Sequence, residues 1–209
     1  LNIGLWSPTW RGSVEDDPPE AQICGFPWGG LGRQTPALEP ELESFLQAGA
    51  PPVVMGLGSV LPRNNPDIAR AFSEACAALE QRAVLVGVAP DALPELPDGQ
   101  IIVPYAPYVS LFPRASVVVH HAGIGTLAEA LCSGRPAVAI PFGNDQPDDA
   151  GRAERLGCSL TVARDGINAR RLTKALREAL EDDELGQRAA SIGAHIAAED
   201  DGARVAARL

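Results

Sequence analysis

Short apolar runs alternate with longer helical stretches over most of this 209-residue chain. Each run is apolar at consecutive positions and rich in β-branched residues, which is typical of a strand that is buried on both faces. Amphipathic stretches between such strands predict helices that cover the two faces of a parallel sheet. The runs are PPVVMGLGS, RAVLVGV, QIIVP, ASVVVHH, PAVAIPF and SLTVA.

The helical stretches complete this pattern. Their periodicity predicts helices near Pro66–Gln81, Thr126–Ser133 and Asp148–Leu156. Residues from about 168 to 209 read as two or three terminal helices, whose many acidic and Arg residues fit solvated faces. We therefore predict a Rossmann-like, doubly wound α/β fold.

The first forty residues differ from the rest in composition. Residues 1–40 are rich in Pro, Gly and Trp and sustain neither a helical nor a strand period, as in a linker that lies against a domain. One globular domain is predicted over residues 41–209. The opening LNIGLWSPTW reads as the middle of a longer protein, so we expect a further domain to precede it.

The charge, the apolar runs and the cysteines of the chain argue against a nucleic-acid partner, a transmembrane helix and a disulfide framework. The chain has 27 acidic against 17 basic residues and a net charge of −10, which is unfavourable for binding nucleic acid. No apolar run reaches the roughly 18 residues that a transmembrane helix needs. The four cysteines lie far apart and form no C-x-x-C motif, which predicts reduced, buried thiols in a cytoplasmic protein.

A glycine-rich turn, VVVHHAGIGTLAEAL, follows the fourth predicted strand. Gly123 and Gly125 let the backbone approach a ligand closely, and a helix that begins near Thr126 points free N–H groups at it. Because the helix macrodipole favours an anion there, the turn predicts a phosphate site. His121 adds a donor, and Glu129 is placed to accept the hydroxyls of a ribose. A purely structural turn is the alternative, and the surrounding histidines and acid favour a functional one.

Two other strand ends carry polar residues. After PAVAIPF, Asp145 and Gln146 offer a carboxylate and a carboxamide that suit sugar hydroxyls. The alternative is that Asp145 or Asp148 caps the next helix, an interpretation that is favoured when this segment is taken alone. After PPVVMGLGS, Ser59 is placed to donate to a phosphate or a sugar, although one glycine turn is a weak signal.

The residues from Tyr105 to Gly157 closely resemble the donor-binding motif of UDP-glycosyltransferases of glycosyltransferase family 1, in particular the bacterial enzymes that modify natural products and lipids. The resemblance extends to the GLGS turn and covers most of the chain. It implies the C-terminal, nucleotide-sugar-binding half of a two-domain GT-B enzyme. Since the acceptor site and the catalytic base of such an enzyme belong to its N-terminal domain, no catalytic residue is expected in this chain.

The resemblance also implies roles for individual residues. Tyr105 would stack on the nucleobase, and Tyr108, where many members have Gln or His, would lie at the same base. Glu129 matches the ribose-binding acid, while Asp145 and Gln146 match the pair that holds the sugar. The residues expected at the donor diphosphate are His121, Gly123, Gly125, Thr126 and Ser59.

Two positions depart from the family pattern. Ala122 replaces a residue that is often glycine, and Asp149 stands where the family commonly has Asn.

By the same resemblance, the intact protein would be an inverting hexosyltransferase. It would move a hexose from a UDP- or dTDP-sugar to a hydroxyl of a natural-product or lipid acceptor, while the helix N-terminus and His121 stabilise the leaving diphosphate. No cofactor or metal is expected, and the sequence has no D-x-D motif to hold a divalent ion. The expected partner is an N-terminal acceptor-binding domain or a separate acceptor subunit.

Other functions stay open at this point. Gly123, Gly125 and Ala128 fit the G-x-G-x-x-A pattern of an NAD-binding oxidoreductase, with Asp145 as its ribose acid. Against this interpretation, the pattern follows the fourth predicted strand rather than the first. A nucleotide-sugar epimerase or a non-catalytic nucleotide-sugar-binding subunit would bind the same donors. The residues do not name the nucleobase, the sugar, the acceptor or the oligomeric state.

Overall fold

The computed structural model describes residues 1–28, 35–58, 65–93 and 95–209, which form an α/β fold. The strands are β1 (Asn2–Gly4), β2 (Ala21–Ile23), β3 (Val53–Gly56), β4 (Ala83–Val86), β5 (Gln100–Val103), β6 (Val117–His120), β7 (Ala137–Ala139) and β8 (Ser159–Thr161). The helices are α1 (Pro40–Gln47), α2 (Pro66–Ala78), α3 (Tyr108–Leu111), α4 (Ile124–Cys132), α5 (Gln146–Arg155), α6 (Ala169–Glu181), α7 (Asp183–Ala197) and α8 (Gly202–Ala206).

Six parallel strands form the central sheet, in the order β5-β4-β3-β6-β7-β8. Val53 of β3 is in register with Ala83 on one side and with Val117 on the other. All six predicted strands are confirmed, and their order is that of a doubly wound, Rossmann-like sheet. The chain builds the sheet outward from β3 in one direction and then from β6 in the other. This reversal leaves a crevice at the carboxyl ends of β3 and β6.

The two faces of the sheet are both buried, which explains why the strands are apolar at every position. Val53 and Met55 face one side, where they pack in a cluster with Phe72 of α2 and with residues of α6. Val54 faces the opposite side, where its cluster contains Phe112 and residues of α1 and α3. Burial on both faces removes the period-two pattern that a half-exposed strand would show.

Three predicted helices are confirmed as α2, α4 and α5, with their ends shifted by at most three residues. The last forty residues form the three helices α6, α7 and α8, as predicted. Sequence reasoning missed α1 and α3, which have only eight and four residues. Periodicity over one or two turns is too short to separate such helices from loop.

Residues 1–28 lie against the C-terminal helices. Trp10 and Phe26 are buried in a cluster that includes Ile196 of α7. The Oε1 atom of Glu199 accepts hydrogen bonds from the hydroxyls of Ser7 at 2.7 Å and Thr9 at 2.6 Å. The expectation that no strand forms here is wrong over two short stretches, because β1 and β2 pair in parallel.

All four cysteines are free thiols; Cys132 is partly buried and the other three are buried. Burial raises the pKa of Cys76 to about 12, so its thiol stays protonated at neutral pH. Within the part of the chain that the structure describes, no helix is both long and apolar enough to cross a membrane.

Candidate functional site

A cavity of about 820 Å³ lies at the carboxyl edge of the sheet, where its lining reaches from Gly58 after β3 to the start of α4. Its other walls come from the end of β4 and from residues 104–109 after β5. Doubly wound sheets bind their ligands at this edge. The cavity brings together five of the predicted site residues, namely Tyr105, Tyr108, Gly125, Thr126 and Glu129.

The glycine-rich turn after β6 starts with an unusual backbone conformation. Ala122 has φ +63°, in the left-handed region, and its N–H donates to Nδ1 of His120 at 3.0 Å. Gly123 occupies the N-cap position of α4. Because Gly125 and Thr126 belong to the first turn of α4 and line the cavity, the free amides of this helix end are available to an anion bound there.

The imidazole of His121 lies between two glycine turns. A Cβ atom added at Gly58 would lie 2.7 Å from Cε1 of His121, and one added at Gly123 would overlap the same ring. Gly58 also has φ +76°, so glycine is required there both by the conformation and by the neighbour. The ring is therefore fixed at the carboxyl ends of β3 and β6, where the crevice opens.

The two adjacent histidines have different electrostatic environments. His120 is fully buried, which lowers its pKa to about 3 and keeps it neutral. Burial also lowers the pKa of His121, whereas the carboxylate of Asp145 acts in the opposite direction. Asp145 thus lies close enough for its charge to act on His121, and the predicted sugar residue stands beside the predicted phosphate residue.

The aromatic wall of the cavity contains two tyrosines of different exposure. Tyr105 is 71% exposed, so the face of its ring is open to a flat ligand. Tyr108 is partly buried and stacks on Phe112, with ring centroids 4.3 Å apart and an interplanar angle of 13°. Glu129, on α4, is partly buried and lines the same cavity.

The loop between β7 and α5 carries Asp145 and Gln146. Oε1 of Gln146 accepts the N–H of Phe142 at 2.8 Å, which holds the loop. Asp145 occupies the N-cap position of α5, yet its side chain accepts no capping hydrogen bond within the described chain. Asp148 pairs with Arg152 at 2.7 Å instead of capping. The capping interpretation is therefore wrong for both aspartates, and the exposed Asp145 carboxylate stays available to a ligand.

A family model described as "Erythromycin biosynthesis protein CIII-like, C-terminal domain" matches residues 70–209. This range holds the glycine turn and five of the six strands of the central sheet. The chain belongs to the EryCIII-like C-terminal domain family. The family resemblance of the donor-binding motif is confirmed by this match.

Curated relatives of this EryCIII-like domain are named as glycosyltransferases. It is 34% identical over 197 residues to the O-mycaminosyltylonolide 6-deoxyallosyltransferase of Streptomyces fradiae, with 93% of this chain and 45% of that protein covered. It is 38% identical over 175 residues to the vancomycin aglycone glucosyltransferase of Amycolatopsis orientalis, with 82% and 41% covered. The chain spans less than half the length of these two relatives.

A solved glycosyltransferase structure has the same fold. The EryCIII-like domain superposes on the glycotransferase of kitacinnamycin with a TM-score of 0.79 at 27% sequence identity, covering 99% of this chain and 53% of that one. The fold is thus that of the C-terminal half of a GT-B glycosyltransferase, as predicted. These relatives do not favour the NAD-binding alternative, whose glycine pattern lies at the fourth strand of the sheet in chain order.

Asp149 is a buried carboxylate of the EryCIII-like domain for which sequence reasoning found no role. It is 6% exposed, and its Oδ2 atom has no hydrogen-bond partner among the described residues. Burial, followed by the charges of Asp145 and Asp148, raises its pKa to about 6. The sequence marks this position only as an Asp where the family commonly has Asn. Its burial follows from the helical phase of α5, which turns Asp149 inward and Asp148 towards solvent.

Ser59 lies outside the described residues, so its assignment to the diphosphate stays a prediction. Over residues 1–28, 35–58, 65–93 and 95–209, no group of three or more His, Cys, Asp or Glu side chains is arranged to hold a metal ion.

Proposed function

We propose that this chain is the donor-binding half of a glycosyltransferase and that its cavity holds the nucleoside of a UDP- or dTDP-hexose. One observation carries the proposal: a single cavity combines an exposed aromatic ring, an open helix N-terminus and a carboxylate. Tyr105 stacks on the base, because a flat, exposed ring binds a nucleobase through its face. Glu129 accepts the ribose hydroxyls from the second turn of α4.

The diphosphate lies at the N-terminus of α4 in this proposal. The amides of Gly125 and Thr126 and the helix macrodipole favour negative charge there. His121 donates a hydrogen bond to a phosphate oxygen, which a neutral imidazole can do through its one ring N–H. Burial lowers the pKa of His121, and the charge of Asp145 offsets this effect only in part. These donors are fixed before the reaction, so they stabilise the charge that develops on the leaving diphosphate.

The sugar lies beside the diphosphate, at the loop after β7. Asp145 accepts hydroxyl protons of the hexose, and the amide nitrogen of Gln146 donates, since its oxygen already holds the loop. The short electrostatic reach between Asp145 and His121 supports this placement, because the sugar is bonded directly to the second phosphate.

The intact protein, we infer, transfers the hexose with inversion to a hydroxyl of a small-molecule acceptor. By their names, the relatives given above act on O-mycaminosyltylonolide and on the vancomycin aglycone, which supports a natural-product acceptor. The base that deprotonates the acceptor hydroxyl comes from an N-terminal acceptor-binding domain or a separate subunit. The diphosphate is held by backbone amides and His121, so the transfer needs no divalent ion.

Calorimetric titration of this chain with UDP, dTDP and NAD tests the donor site. A nucleoside diphosphate is expected to bind without added metal, and His121→Ala and Glu129→Ala should each weaken it by about 1–3 kcal/mol, as for lost charge-assisted hydrogen bonds. The matched controls are His195→Ala and Glu184→Ala on α7, two exposed side chains on another element. These controls should bind the nucleotide as the unmodified chain does.

Binding of NAD in preference to both diphosphates contradicts the proposal. So does a folded chain that binds no nucleotide, or an equal loss of affinity in the variants and in their controls. Circular dichroism of each variant separates a lost contact from a lost fold.

A further inference from the structure

Tyr108 stands between the two halves of the candidate donor site. Its ring is stacked on Phe112 and lies across the carboxyl end of β3. A Cβ atom added at Gly56 would lie 2.7 Å from the Tyr108 hydroxyl oxygen, so glycine leaves the room that this ring occupies. The hydroxyl therefore points towards the turn that follows β3, while other atoms of the residue line the cavity.

The hydroxyl of Tyr108 faces the backbone of that turn. Burial raises the pKa of Tyr108, and the backbone N–H of Gly58, which donates towards the phenol oxygen, partly offsets this effect. The phenol is thus a polar partner for the turn after β3. Tyr105 differs from Tyr108 in that it lines the cavity while most of its surface is exposed.

Gly58 in turn contacts the imidazole of His121. The ring lies where a side chain of Gly58 would be, with 2.7 Å between the added Cβ and Cε1. Close packing transmits small displacements, so a shift of the Gly58 backbone must displace the ring or open a gap beside it. The Tyr108 ring packs on Gly56 and the His121 ring packs on Gly58, so the turn that joins these two glycines connects the aromatic wall with the proposed diphosphate site.

We propose that Tyr108 is a positioning residue for His121, and that it acts through Gly58 rather than by contact with the nucleobase. This inference rests on the proposed donor site. The two tyrosines then have different roles. Tyr105 stacks on the base, and the Tyr108 hydroxyl fixes the turn that sets the position of the His121 imidazole. The expectation that both tyrosines recognise the base is thereby refined.

The test uses Tyr108→Phe, which keeps the ring on Phe112 and removes only the hydroxyl. Calorimetry compares the nucleoside diphosphate that the unmodified chain binds with its parent nucleoside, uridine or thymidine. We expect the affinity for the diphosphate to fall about three- to tenfold, as for one lost polar contact, with less than about a twofold change for the nucleoside. The ¹³C and ¹⁵N shifts of the His121 imidazole should also change in the ligand-free variant.

Tyr105→Leu is the contrasting variant. It removes the base platform without touching the turn, so it should weaken nucleoside and diphosphate by the same factor and leave the His121 shifts in place. The pair of variants thus separates base recognition from placement of the phosphate donor.

Several outcomes would overturn the inference. An equal loss for nucleoside and diphosphate in Tyr108→Phe would mean that the hydroxyl contacts the base, and an unchanged diphosphate affinity would mean that it holds nothing. Unchanged His121 shifts would break the link through Gly58. If the unmodified chain binds neither UDP nor dTDP, the proposed function fails and this inference fails with it, whereas the other outcomes leave the donor site standing.

Discussion

At the scale of single residues, the buried carboxylate of Asp149 lowers the stability of the folded state. Its carboxylate is buried in the first turn of α5, near two other carboxylates, and its Oδ2 finds no partner among the described residues. The folded state therefore holds the proton of Asp149 more tightly than the unfolded state does, with a pKa of about 6 against an ordinary value of 3.8. Wherever the group is ionised in the folded protein, its burial reduces stability.

The sign of this effect gives a pH-dependent prediction for Asp149→Asn. Between pH 3.8 and 6 the native state binds more protons than the unfolded state, so this contribution to stability falls as the pH rises through that window and is level above it. Asparagine removes the charge. We expect the variant to be more stable by about 1–3 kcal/mol at pH 8 and by about half as much at pH 5, as measured by urea denaturation.

Asp67→Asn is the control for this measurement, because Asp67 is an exposed aspartate in the first turn of another helix, α2. It pairs with Arg70 at the surface, so its replacement should change stability by less than about 0.5 kcal/mol at either pH. A variant Asp149→Asn that is less stable at pH 8 would mean that the folded protein holds the carboxylate by a favourable interaction, contrary to the interpretation given above.

At the scale of the elements, the packing of α4 against α7 depends on two glycines. Gly134 follows α4 with φ +68°, and Gly193 of α7 packs directly on it. A Cβ atom at Gly193 would lie 2.6 Å from the Cα atom of Gly134 and 3.0 Å from the carbonyl oxygen of Leu131. Since the glycine-rich turn lies at the other end of α4, this contact fixes the direction in which the N-terminus of the helix points.

We predict that Gly193→Ala destabilises the chain by about 1–3 kcal/mol, because backbone atoms of α4 have to move to admit the methyl group. Gly186→Ala in the same helix is the matched variant. No atom of the described chain lies within 4 Å of a Cβ added there, so alanine should stabilise α7 by about 0.5–1 kcal/mol. Chemical denaturation measures both, and equal effects of the two substitutions would rule out the α4–α7 contact as the cause.

The elements also mark the limit of prediction from sequence. Every strand of the central sheet and the helices α2, α4 and α5 could be predicted, because burial on both faces or on one stripe leaves a clear apolar pattern. The short strands β1 and β2 could not, since each has only three residues. The segments next to them are held by contacts with α7 and Glu199, which lie far away in the chain. Likewise, α3 is only one turn long, and its place is set by the stacking of Tyr108 on Phe112.

At the scale of the whole molecule, the proposed donor site is formed by segments that are remote in sequence. The cavity is lined by residues between Pro36 and Glu129, and the loop of Asp145 lies beside His121. A ligand bound across these segments stabilises the whole folded state, because it binds that state and not the unfolded chain.

We therefore predict that UDP or dTDP raises the melting temperature of the chain. At a hundred times the dissociation constant, binding adds about 2.7 kcal/mol to stability, which for a domain of this size corresponds to about 5–10 °C. Differential scanning fluorimetry with and without EDTA measures it. The same rise is expected in both, and a rise that needs added Mg²⁺ or Mn²⁺ would contradict the metal-independent site.

The sequence by itself determined the sheet, the glycine-rich turn and the family, because each of these is recorded in consecutive residues: apolar runs, glycines before a helix, and a motif of about fifty residues. The tertiary structure alone decided which side chains meet. It placed His121 between Gly58 and Gly123, turned the Tyr108 hydroxyl towards Gly58, freed Asp145 from capping and buried Asp149. These outcomes depend on strand order and helix phase, through which residues far apart in the chain are brought within contact distance, and no local pattern records them.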